Sequence, residues 1–109
     1  MSIPVNRHLI EIFLPIRQKD GSSVPQEEFS RLRQLLVETF GGLTEFSRAP
    51  AKGEWKPDGS ESAERDDIVV FEVMTDTLDR SWWAVLRSSL EHRLCQDQIV
   101  IRALRVEQL

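Results

Sequence analysis

The sequence predicts an α+β domain with its elements in the order β-α-β-β-α-β, and three observations carry that prediction. Two apolar runs rich in β-branched residues, Leu9–Leu14 and Ile68–Met74, read as strands. Two apolar stripes, Phe29-Leu32-Leu36-Phe40 and Trp83-Leu86-Leu90-Leu94, recur at spacings of three, four and four, which places each on one face of a helix. Each helix stands between strand candidates, so both serve as crossovers between strands of one sheet.

The first strand is expected over His8 to Pro15, where Pro15 ends the ladder because it has no N–H to donate. Lys19 to Ser23 is a turn-rich link. Pro25, with its preset φ, and the carboxylates Glu27 and Glu28 then mark the start of helix one near the positive end of its dipole. Gly41-Gly42 supplies the left-handed exit. Leu43 to Arg48 reads as a short second strand. Ala49 to Ala63, with Pro50, Gly53 and Pro57-Asp58-Gly59, is the least regular stretch, read as a strand extension through Trp55 followed by a hairpin loop. Asp67 to Met74 is the clearest strand and is expected to be central. Asp76 or Thr77 is expected to cap the second helix, which ends near Cys95. Ile99-Val100-Ile101 opens a last strand that runs towards the C-terminus.

With both crossovers right-handed and on the same side, these elements form a four-stranded antiparallel sheet of order 4-1-3-2 with two helices on one face. This is the ferredoxin-like βαββαβ sandwich. A chain of 109 residues, 40% of them hydrophobic, is expected to build one such domain over residues 1–109, since each core needs on the order of 100 residues. Lys and Arg number 14 against 18 Asp and Glu, a formal net charge of −4, and no basic patch is visible. That balance argues against a nucleic-acid partner. The apolar runs fall far short of the roughly 20 residues that cross a bilayer, and the polar start through Pro4 lacks the pattern of a secretory signal. A cytoplasmic protein with no membrane partner is expected. Cys95 is the single cysteine, so an internal disulfide is impossible.

The segments Phe40-Gly41-Gly42-Leu43-Thr44, Gly53-Glu54-Trp55, Asp66 through Met74 and Gln96 through Ile101 together resemble a family of small, uncharacterised bacterial proteins. The resemblance covers most of the chain. It implies a compact bacterial domain and brings no catalytic motif. The architecture is also similar to dimeric α+β barrel proteins, in which two such sheets pack face to face around a cavity; an analogy of fold does not establish function.

Strand alternation assigns Ile10, Ile12, Leu14, Val69, Phe71 and Val73 to the helix-covered face. The open face then carries Leu9, Glu11 and Phe13, Ile68, Val70, Glu72 and Met74, and Val100 with Arg102. So many large apolar side chains on one face exceed what monomers usually expose. Either a second copy covers them or the loop Ala49–Arg65, with Trp55, folds back over the sheet. Two-fold association is the commoner solution, and a homodimer is the expectation. Glu11 and Glu72 sit on neighbouring strands near the middle of this face, with Arg102 on the other side of strand one. Half-buried carboxylates can transfer protons and an arginine can fork to a carboxylate, so the face offers a site for a small anionic ligand; an ion pair within an interface is the bland alternative. The candidate ligand-binding or interface residues are Glu11, Phe13, Trp55, Val70, Glu72, Met74, Arg102 and Arg48.

Other features are absorbed by structure. His92 and Cys95 have ligand spacing, but His92 lies opposite the apolar stripe and two further ligands are lacking, so no metal is expected. His8 reads as a strand-edge residue. Trp82 and Trp83 are core packing. Gly41-Gly42 follows a helix and precedes a strand, the reverse of a phosphate loop, and Ser22, Ser23, Ser88 and Ser89 lack a nucleophile elbow. No cofactor is implied. The expected function is a non-catalytic homodimeric binding module; the alternative is a small cofactor-free isomerase or lyase-like enzyme with Glu11 or Glu72 as base and Arg102 or Arg48 holding an anionic substrate.

Overall fold

The computed structural model describes residues 5–48 and 68–109. The elements are β1 (Val5–Pro15), α1 (Gln26–Phe40), β2 (Thr44–Arg48), β3 (Ile68–Thr75), α2 (Arg80–Arg93) and β4 (Val100–Gln108). They form a four-stranded antiparallel sheet in the order β2-β3-β1-β4, the ferredoxin-like arrangement read in the opposite direction. The expected hairpin loop of Ala49–Arg65, Trp55 within it, and the start of the third strand at Asp67 lie outside the described residues.

One side of the sheet is the core. Ile10, Ile12 and Leu14 of β1 and Phe71 and Val73 of β3 pack in one cluster with Phe29, Leu32 and Leu36 of α1 and Trp83 and Leu90 of α2. Val69 joins at its margin. Burying a side chain such as Phe71, which is fully enclosed, stabilises the fold by about 1.5–3 kcal/mol. Phe40 ties the helices together, stacking on Trp83 at 5.3 Å and meeting the edge of Trp82 at 5.4 Å. Gly41 ends α1 at φ 83°, a left-handed conformation that costs glycine nothing, with its N–H donating to the Val37 carbonyl.

Two local expectations are corrected. The cap of α2 is Asp79, whose carboxylate accepts from the Trp82 N–H at 3.1 Å, whereas Asp76 pairs with Arg7 at 2.8 Å and Thr77 lends its carbonyl to the Thr75 hydroxyl. Helix two therefore begins three residues later than Asp76, or two later than Thr77, would place it. His8 is not an edge residue: β1 starts at Val5, and His8 is flanked by Thr75 on β3 and Arg105 on β4. The strand extends because Val5–Leu9 finds a partner in Leu104–Gln108, residues that by themselves carry little strand signal. The edges of the sheet are thus the five residues of β2 and the nine of β4.

Candidate functional site: the open face of the sheet

Residues that face each other across antiparallel strands project to the same side, so the register fixes which side chains share the uncovered face. Three rows run across it. Leu104, Leu9 and Met74 form the first; Arg102, Glu11, Glu72 and Thr44 the second; Val100, Phe13, Val70 and Phe46 the third. One polar row is therefore enclosed between two apolar rows. Four of its apolar members keep substantial exposure, Phe46 at 47%, Val100 at 48%, Leu104 at 41% and Met74 at 37%.

The polar row places Glu11 directly between Glu72 and Arg102, as alternation predicts. Arg102 Nε donates to Glu11 Oε1 at 2.6 Å, and the guanidinium lies 4.9 Å from the centre of the Phe13 ring. The Glu11 side chain is 13% exposed and that of Arg102 57%, so the carboxylate is sunk into the sheet while the cation reaches outward. Ion pair and ring together hold the guanidinium plane, and its terminal nitrogens are the donors that fork to a carboxylate. Glu72 and Met74, with Leu9 and Thr44, also line a cleft of about 350 Å³ where Gly41 and Gly42 turn the chain from α1 into β2.

Of the residues singled out in the sequence, Glu11, Phe13, Glu72, Met74 and Arg102 come together on this face. Val70 shares the face but is buried, between Phe13 and Phe46 in its row, and offers almost no surface to a ligand. Arg48 ends β2 opposite Ile68, with its side chain outside the described set, and Trp55 lies wholly outside it. Phe46, Thr44 and Leu104 also belong to the face. A five-residue strand and a helix-prone C-terminus carry too little periodicity to assign them.

His92 and Cys95 are both exposed at the end of α2, and among the described residues no three His, Cys, Asp or Glu side chains gather as metal ligands. His8 has its Nδ1 buried without a hydrogen-bond partner among the described residues. No described helix is long and apolar enough to cross a membrane. No protein-family model matches the chain, and no curated protein matches it.

Proposed function

We propose that this protein is a non-catalytic homodimeric module of the bacterial cytoplasm that binds a small molecule or another protein through the open face of its sheet. One observation carries this reading: two apolar rows with exposed Phe46, Val100, Leu104 and Met74 flank a polar row in which Arg102 is held by Glu11 and Phe13. Apolar rows of this kind favour a self-complementary two-fold contact, and the guanidinium between them suits a small anionic ligand enclosed there. Native mass spectrometry of freshly purified protein tests it. A dimer, with or without retained small-molecule mass, agrees with the reading; a monomer at micromolar concentration overturns it.

A second reading is favoured by the pairing of Glu11 with Glu72 as direct cross-strand neighbours. Paired carboxylates on one face are groups of the kind that general acid–base chemistry uses. That is the arrangement for a cofactor-free isomerase or lyase-like enzyme. It requires a turnover that Glu11→Gln or Glu72→Gln abolishes with the fold intact, whereas the binding module keeps its fold in both variants and has no turnover to lose.

A further inference from the structure

On the other side of the sheet, Arg80, Trp83, Ala84 and Arg87 of α2 follow one another at helical spacings of three, one and three residues and so form a single stripe. This stripe borders a groove of about 240 Å³ against β4, floored by Ile10, Trp83 and Ile101. Ile10 and Trp83 are nearly inaccessible, at 1% and 7% exposure, so they underlie the groove as core, and the apolar surface it presents comes from Leu78, Ala84, Ile101 and Ala103. The groove exists because the residues that meet there are small. Ala84 on the helix and Ala103, the cross-strand partner of Ile10, leave open a space that larger side chains would fill.

The rim is cationic. Arg80 and Arg87 both line the groove, about 10 Å apart along the helix axis. Arg80 makes no ion pair among the described residues, and Arg87 has only a long contact of 3.5 Å to Glu91. Arg105 continues the same side of β4 two residues beyond Ala103. Arg80 and Arg87 thus border an apolar floor in a chain whose net charge is −4.

We infer that the groove between α2 and β4 is a binding site for a small carboxylate with an apolar, ring-sized body. The body lies along the apolar strip of Leu78, Ala84, Ile101 and Ala103, in a groove of about 240 Å³ that is open to solvent on its outer side. The carboxylate takes the forked donors of Arg80 or Arg87, which recognise it in a way a lysine ammonium does not. Arg102 also borders the groove, while its ion-pair partner Glu11 and the rest of the polar row lie on the opposite side of the sheet.

The test is a titration of the full chain, isotope-labelled, with 3-phenylpropanoate, followed by amide and indole resonances, with 3-phenylpropanol as the uncharged control. Saturable shifts centred on Trp83, Ala84 and Ala103 are expected, with the alcohol binding at least about tenfold more weakly for want of the charge-assisted hydrogen bonds. Arg80→Gln with Arg87→Gln should bring the acid down to the level of the alcohol. Ala84→Leu should abolish binding while keeping a dispersed spectrum, since the site is on the surface and leucine favours helix; Ala103→Leu provides the same block from the strand side. Equal binding of acid and alcohol, shifts centred instead on Val100 and Leu104 of the opposite face, or no saturation by either compound in the wild type would each overturn the inference.

Discussion

The two faces of this sheet are made by the same strands and the same alternation, yet they end in different states. On the helix side, Ile10, Ile12, Leu14, Phe71 and Val73 are all 3% exposed or less. On the other side Phe46, Met74, Val100 and Leu104 each keep more than a third of their surface. Hydrophobicity does not separate the faces; the crossovers do. Both helices pack on one side, and each supplies a stripe of apolar residues at matching spacing. The other face keeps its apolar rows and adds a charged row through its middle, a composition suited to meeting another surface and unsuited to water.

Substitutions at matched residues sharpen that contrast most. Phe71→Ala removes a fully enclosed ring and is expected to lower the unfolding free energy by about 3–5 kcal/mol, read by urea denaturation. Phe46→Ala, on the neighbouring strand but on the open face, should change it by less than about 0.5 kcal/mol when measured at concentrations low enough to keep the chain monomeric. Equal losses would mean that Phe46 is core. Next in size, Leu104→Lys puts a charge in an apolar row and is expected to weaken self-association by about tenfold or more in a sedimentation dilution series. Val85→Lys, on an exposed position of α2, is the control that should leave association unchanged.

A smaller effect belongs to the helix side alone. Asp79→Ala leaves the Trp82 N–H without its cap and should cost about 1 kcal/mol in thermal or urea unfolding, more than Asp76→Ala, which removes an exposed pair with Arg7. The smallest effect is remote from both faces. Asp20 accepts hydrogen bonds from the Ser22 hydroxyl at 2.5 Å and from its N–H at 2.9 Å, and these hold its carboxyl below the usual aspartate range. A depressed folded pKa contributes stability that is present above the ordinary aspartate value and is lost as pH falls through the lowered one. Carbon-detected titration of Asp20 should therefore show a midpoint below that of an unstructured aspartate, and Ser22→Ala should move it back up.

Much of this was legible in the residues themselves. The long runs Leu9–Leu14 and Ile68–Met74 fix their own alternation, which puts Glu11 with Glu72 on one face and the core set Ile10, Ile12, Leu14, Phe71 and Val73 on the other; the run Ile99–Ile101 adds Arg102 to the first. What was not legible depends on partners distant in the chain. Leu104 lies on the last strand, which was expected to run towards the C-terminus, but the face it takes depends on its register with Val5–Leu9, and Phe46 sits in a strand whose register is set by β3. Val24 is buried with the core although it lies in a link, held where its N–H reaches the Ile16 carbonyl at 2.8 Å. Asp79 caps α2, whereas Asp76, three residues earlier, pairs with Arg7 from far away in the chain. The groove between α2 and β4 was equally hidden, since neither Ala84 nor Ala103 announces by itself that they meet.

Whether two copies of this chain meet at the open face is decided by contacts between copies. A sample mixed from isotope-labelled and unlabelled protein, observed by filtered nuclear Overhauser spectroscopy, reports contacts between copies directly. The expected result is a set of intermolecular contacts among the methyl groups of Leu9, Met74, Val100 and Leu104 and the Phe46 ring. Intermolecular contacts confined to the helix layer, at Leu35 or Val85, or none at all at millimolar protein, would contradict it.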